Sequence, residues 1–471
     1  AETGGSGKAV RARIGAGAAR PTNRPSGESV GARDDMLEDH PLRREMIGEL
    51  HSRPFLAFQA PAEVLHLAFK PVDPPISLDH EAVLTHLNTL LKIDGKTPAG
   101  DDINHLVSQF GDLKMKFELH TEFISYTFVK ERAAAAPFSS GPEDWLPHDW
   151  LASAPGKLIA SCWLHAESAD SPEDAEAKIT GPLREHFHGD SLASAWVSGG
   201  RCATAADFRL DPRGQTRFAL VTTPGLGARR IGRVAQRLIE METYRALAML
   251  ALPVARRVGR RLPEIGGELS EVILALTQER AVTKDRETLD RLTKLSAELE
   301  RLSSDSTFRL SAARAYHSIV GDRIRTLREE RIVERQAFQD FMVRRFLPAM
   351  RTCQSVDSRL EALSQRAERA GNLLRTRVDV SLEEQNQELL QSMNERAALQ
   401  LRLQQTVEGL SVVAISYYAV SLAGFLIAPL ADAVGWPLSL LKAIAALPII
   451  GAVWYLVRQI RNRVETASPR D

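Results

Sequence analysis

The sequence predicts an α+β domain followed by a long helical stalk and, near its C-terminus, a two-helix transmembrane hairpin. Three observations carry this reading. Between about residues 40 and 224, short runs that alternate apolar with polar residues are mixed with a few helical segments. After Pro224-Gly225 that pattern stops and leucines recur at heptad spacing. Finally, Leu410–Leu430 holds 21 residues without Asp, Glu, Lys, Arg or His, about the length a helix needs to cross hydrocarbon. The division that follows is a tail over 1–38, the α+β domain over 39–224, the stalk over 225–405, the hairpin over 406–458 and a second tail over 459–471.

The first 35 residues are rich in Gly, Ala, Arg, Pro and Ser and lack an apolar core of the secretory kind, so they read as a flexible tail. An organellar transit peptide is the alternative, against which Glu2, Glu28, Asp34 and Asp35 count. Order begins at Asp39-His40-Pro41, where Asp39 or His40 can cap and Pro41 suits the first helical position. Glu63–Lys70 is a strand candidate and Glu81–Lys92 a helix. Lys114–Leu119 alternates as a half-buried strand does, and Phe123–Lys130 is aromatic and β-branched; His120-Thr121-Glu122 between them is a hairpin or a bulge. Lys157–His165 is a strand, and Ser171–Phe187 opens with the capping sequence Ser-Pro-Glu-Asp. Ala193–Ser198, Cys202–Leu210 and Thr216–Thr222 follow as strands, the last two joined by the turn Asp211-Pro212-Arg213-Gly214. Beyond them come a helix over 226–252, a long helix from Pro263 to about Leu302 with Leu292, Leu295, Leu299 and Leu302 on its seam, and a second over Thr307–Arg345. A third starts near Ser355 and runs uninterrupted into the first span, because neither Gly nor Pro occurs between Asp379 and Thr406.

The hairpin's second span covers about Pro437–Val457, broken only by Lys442, and the connector is Ala431–Trp436. Trp436 at one end and Trp454 with Tyr455 at the other suit membrane interfaces. Arg396 and Arg402 precede the first span and Arg458, Arg461 and Arg463 follow the second, whereas the connector offers only Asp432. The excess of positive charge places both termini in the cytosol, in an inner (cytoplasmic) membrane.

Composition narrows the function classes. The chain has 471 residues, room for about three folding units. With 44% apolar and 25% charged residues it is not globally disordered. Lys+Arg and Asp+Glu are 60 each, and a general nucleic-acid binder would need a basic excess. Cys162, Cys202 and Cys353 form no CxxC pair and suit a reducing compartment.

No phosphate-loop, nucleophile-elbow or zinc-protease motif occurs, so no catalytic residue and no cofactor is assigned and the chain is read as a non-enzyme. Gly225-Leu226-Gly227 reads as a strand-to-helix turn, and Trp196–Arg201 as a hairpin loop. His186 and His188 could sit on a metal, as could Glu118, His120 and Glu122; for the latter three an ion-paired sheet face is the simpler reading. Arg43 and Arg53, beside His40 and His51, could hold a small anion, or their helix could simply dock on the domain. The metal assignment stays open. The first span carries the more coherent pattern: Gln404, Glu408, Ser411, Tyr418, Ser421 and Gly424 fall on one stripe at about 3.5 residues per turn. A polar stripe must face a partner helix or a water-filled path rather than lipid. Lys442, five residues beyond Pro437, can snorkel to the interface or face that path.

The segments Arg377-Val378-Asp379-Val380, Glu383–Asn386, Ser392–Arg396 and Thr406–Tyr418, with His40–Arg43, His51–Phe55 and His120–Phe123, resemble a bacterial family of uncharacterised membrane-anchored proteins that contain a domain of unknown function. The order of elements is also similar to that of the CorA-type magnesium transporters: a cytosolic α/β domain, helices, a stalk helix continuous with the first span, a short outer loop and a second span. That resemblance implies a pentamer with the first span at its axis. The transporters carry Gly-Met-Asn at the outer end of the first span; this chain has Gly424-Phe425-Leu426 there. The resulting expectation is a homo-oligomeric membrane protein of CorA-like build, partnered by lipid and by an inorganic ion but not a typical magnesium transporter. The alternative is a membrane-anchored scaffold or sensor whose cytosolic domain binds a protein partner.

Overall fold

The computed structural model describes residues 39–43, 46–47, 55–72, 78–100, 103–132, 136–141, 144–278, 282–332, 334–435 and 437–466. The N-terminal tail, His51 and Arg53 therefore lie outside the described residues, as does Trp436.

The head is a nine-stranded sheet. Its strands in chain order are β1 (Ala62–Lys70), β2 (His105–Phe110), β3 (Leu113–Leu119), β4 (Ile124–Lys130), β5 (Lys157–Ser168), β6 (Ala193–Val197), β7 (Cys202–Leu210), β8 (Thr216–Thr222) and β9 (Glu330–Arg331). Across the sheet the order is β2-β3-β4-β1-β5-β8-β7-β6-β9. β5 and β8 run parallel, with Leu164 opposite Phe218, and the other neighbours are antiparallel. Every residue of β1 is buried, which a strand covered on both faces requires. One face carries Leu65, Leu67 and Phe69 against α1 (His80–Ile93), α2 (His148–Ala152) and α3 (Pro172–Thr180), with Trp150, Trp163 and Tyr126 at its centre. Asp79 caps α1 by accepting from Glu81 and Ala82, and Ser171 caps α3 by accepting from Asp174.

The opposite face, Val64, Cys162, Leu164 and Phe218, packs under α4 (Ala228–Met249) through Leu238 and Ile239. This core does not end with the sheet. It continues through α5 (Ala251–Gln278), α6 (Val282–Leu327) and the near end of α8 (Leu347–Val434) as far as Leu374, joined from the side by α7 (Phe338–Arg345). Leu292, Leu295 and Leu299 are buried in it, as their seam spacing predicts, and Leu302 is partly buried against it. α9 (Leu438–Thr466) returns along α8.

Several expected boundaries move. The helix expected over 263–302 is two helices, α5 and α6, which pack on each other. The segment between them holds no Gly or Pro, so nothing in its composition marks a turn. The helix expected over 307–345 is the end of α6, the short strand β9 and α7; β9 pairs with β6 and closes the sheet edge. Strand β2 lies where no strand was expected, and Ser171–Phe187 is a nine-residue α3 followed by a 3₁₀ turn over Pro182–His186.

Candidate functional site

Two helices among the described residues are long and apolar enough to cross a membrane, α8 in its C-terminal part and α9. Almost nothing of either apolar stretch is buried within the chain. α8 is continuous for 88 residues, about 130 Å at 1.5 Å per residue, so the stalk and the first span are one rod. Buried Ser416 and half-buried Val412, Ala419, Ala423 and Ile427, four and three apart, mark the face against α9. The Ser416 hydroxyl is buried on that face without a hydrogen-bond partner.

The structure divides the expected polar stripe. Gln404, Ser411 and Tyr418 are exposed on the side away from α9, Tyr418 by 72%. The Ser411 hydroxyl donates to the Val407 carbonyl at 2.8 Å. Glu408 and Ser421 are half-buried, and Gly424 is buried under Lys442. A Cβ built on Gly424 would stand 2.5 Å from Lys442 Cε and 3.2 Å from its Nζ. The ammonium therefore lies across the first span rather than extending outward. The cause of the division is the spacing: Gln404, Ser411 and Tyr418, seven apart, shift by only about 20° per step, whereas Gly424, six residues past Tyr418, stands about 120° round the helix.

At the far end of the hairpin, α8 and α9 part to leave a cavity of about 430 Å³ whose lining includes Glu408, Trp454 and Arg458. Arg458 lies over the Trp454 ring at 5.0 Å. The side chains of Asp432, Arg461 and Arg463 lie outside the described residues.

Between the bundle and its apolar C-terminal part, α8 is exposed. From Val378 to Val407 its residues are exposed almost without exception. Leu382, Leu389, Met393, Leu403, Val407 and Leu410 are each more than half exposed and fall on one heptad seam, interrupted by Asn386, Arg396 and Gln400. Gln404, Ser411 and Tyr418, seven apart, run immediately beside that seam. The face of α8 packed on α9 lies on the other side of the helix.

In the head, the charged candidates are paired internally. Glu122, in the β3–β4 turn, is 2% exposed. It accepts from Arg309 of α6 at 2.8 and 3.2 Å, takes a short hydrogen bond from Tyr316 and lies 3.3 Å from Lys70 Nζ. Burial raises its pKa, but the bonds from Arg309 and Tyr316 outweigh burial and hold the carboxyl below its ordinary range. Glu118 pairs with Lys116 at 2.9 Å, and His120 stacks on Phe123 at 4.0 Å. Glu118, His120 and Glu122 are thus separated into different partnerships. His186 packs on Phe138, while the backbone amide of His188 donates to Asp207. Among the described residues no group of three or more His, Cys, Asp or Glu side chains could hold a metal ion. Arg43 is paired with Asp39, and the Leu42 amide donates to His40 Nδ1 at 3.2 Å.

A second buried group faces α2 and α3. His165 Nδ1 lies 3.5 Å from Glu63 and its Nε2 4.0 Å from Glu167. Burial lowers the imidazole's pKa, but Glu167 and Glu63 outweigh it and raise it to about 9. On the opposite face, burial with Lys116 and His120 lowers His66 to about 3. Its ring bonds Thr127 at 2.9 Å and Thr243 of α4 at 3.2 Å. Sequence reasoning missed Arg309 and Tyr316, which meet Glu122 across 187 and 194 residues with no local signal. It also missed the seam from Leu382 to Leu410, which its seven-residue spacing could have shown.

The chain belongs to the family described as protein of unknown function (DUF3422), which matches residues 38–464. It is also similar to a solved structure titled "structure of the full-length CmaX protein", with 14% identity over 70% of this chain and 94% of that one, and a TM-score of 0.18. No curated protein matches the chain.

Proposed function

We propose that this member of the DUF3422 family is a homo-oligomeric, multi-pass protein of the bacterial cytoplasmic membrane, built like the CorA-type transporters and not an enzyme. The carrying observation is the unpartnered seam of α8. A solitary helix bearing Leu382, Leu389, Met393, Leu403, Val407 and Leu410 leaves apolar surface in water and headgroups. Each such side chain gains about 1.5–3 kcal/mol when fully buried. Copies of the same helix around a symmetry axis bury it best, because a cyclic assembly presents the seam to itself. α9 then lies outside the first span, and Gln404, Ser411 and Tyr418 flank the axis as the route of a small inorganic ion.

The head and bundle share one core, so a partner or ligand that shifts the head moves the 88-residue rod with it. A second reading, an anchored scaffold or sensor, draws on Leu403, Val407 and Leu410, which would close the axis where it enters the membrane. Ion flux into sealed vesicles holding the purified full-length chain separates the two. The channel reading expects flux that changes in Tyr418→Ala; the scaffold reading expects none from either protein. Magnesium is not the expected ion, because Gly424-Phe425-Leu426 stands where a Gly-Met-Asn filter would. Both termini face the cytosol: a cysteine replacing Ala433 reacts with an impermeant thiol reagent from outside, and one placed after Arg463 does not.

A further inference from the structure

We propose that the cleft between α8 and α9 at the cytosolic end of the hairpin binds the headgroup of an aminophospholipid, its phosphate on Arg458 and its ammonium on Glu408. The inference rests on the membrane reading above, and four observations carry it.

The first is depth. Arg458 lies 21 residues beyond Pro437, about 30 Å along a helix, which is the thickness of the hydrocarbon layer. The cleft therefore opens at headgroup level, where Trp454 belongs.

The second is charge. Glu408 and Arg458 line the same cavity, yet neither has an ion-pair partner among the described residues; the guanidinium lies over the Trp454 ring. A carboxylate and a guanidinium held apart across a gap suit a ligand with both signs of charge. Guanidinium takes phosphate through paired N–H donors, and carboxylate takes a primary ammonium through charge-assisted hydrogen bonds. A lipid with only negative charge would meet repulsion from Glu408. A choline lipid has no N–H for Glu408 or Gln405, and Arg458 already covers the Trp454 face that a quaternary ammonium would use.

The third is space. About 430 Å³ is in the range of small-molecule sites, and Val412 gives the cleft an apolar floor toward the acyl region. The fourth is Gly409. A Cβ there meets no atom within 4 Å, so this glycine keeps the cleft open and a larger side chain fills it without a clash.

The test is native mass spectrometry of the detergent-solubilised full-length protein titrated with phosphatidylethanolamine, phosphatidylcholine and phosphatidylglycerol. Wild-type protein is expected to retain the ethanolamine lipid at the lowest concentration. Glu408→Gln and Arg458→Gln each weaken that retention by roughly tenfold, the factor for one lost charge-assisted hydrogen bond. Glu408→Gln also turns the preference toward phosphatidylglycerol, because the cleft becomes net positive, a change that loss of structure would not produce. Gly409→Leu abolishes selective retention while the helical circular dichroism stays at the wild-type level. Equal retention of the three lipids by wild type, a wild-type preference for phosphatidylglycerol, or an unaltered Gly409→Leu protein overturns the proposal. A protein that needs detergent but shows no lipid selectivity defeats this inference alone; one that stays soluble without detergent defeats the membrane reading and this inference together.

Discussion

Glu122 is a carboxylate taken almost wholly out of water, and its three cationic or hydroxyl partners make that tolerable. Removing Arg309 leaves the buried charge with only Lys70 and Tyr316 beside it, which costs more than the pair contributes. Arg309→Ala is therefore expected to lower unfolding stability by about 3 kcal/mol or more, measured by denaturant unfolding of the full-length chain in detergent. Tyr316→Phe removes one neutral donor and costs about 1–3 kcal/mol.

The buried histidines set opposite pH limbs. His66 is lowered to about 3, and His86, by burial against the opposing Trp150 carbonyl, to about 4. Both titrate near 6.5 when unfolded, so the unfolded chain binds more protons and stability falls as pH drops below 6.5. His165, raised to about 9, contributes stability that is complete below 6.5 and is lost as pH rises from 6.5 through about 9. A thermal-unfolding series is expected to peak near pH 6.5, and His165→Asn to flatten its alkaline limb. An unchanged alkaline limb would remove His165 from the account.

At the scale of elements, α4 meets the chain entering the sheet at Gly232. A Cβ on that residue would fall 1.9 Å from the Leu56 carbonyl oxygen and 2.9 Å from its carbon. These are backbone atoms, so an added methyl must push the strand entry away from the helix. Gly232→Ala is expected to destabilise the head by about 1–3 kcal/mol despite alanine's better helix propensity. Hydrogen exchange at residues 55–58 should rise with it; protection equal to wild type would show the contact to be slack.

The elements that sequence revealed are those with a local signature. β1, β3, β4, β5 and β8 alternate or are β-branched, α1 and α3 have capping side chains, and the two C-terminal apolar segments hold no charge but Lys442. The elements it missed are set by distant contacts. β2 is a half-exposed edge strand with a weak pattern, β9 exists because β6 offers it an edge, and the segment between α5 and α6 carries no Gly or Pro. The candidate stripe was legible only in part, because its members seven apart keep one face whereas Ser421 and Gly424, three and six past Tyr418, turn away from it. On α8, Gly424 lies against Lys442 of α9 while Tyr418 stays exposed.

The whole molecule is a head and bundle with one continuous core, prolonged by a rod that carries the first of the two apolar segments long enough to cross a membrane. Such a rod is stiff, and its free length from Val378 to Val407 shows what the single chain leaves unsatisfied. The seam faces away from α9, so self-association would put the first span inside and the second outside. The central claim is that copies of the chain meet along this seam, and the mass of the detergent-solubilised full-length protein, by light scattering with the detergent contribution subtracted, tests it most directly. The account predicts a closed oligomer for wild type and a monomer with unchanged helical circular dichroism for the double substitution Leu389→Lys and Met393→Lys; a monomeric wild type, or an oligomer indifferent to those lysines, would contradict it.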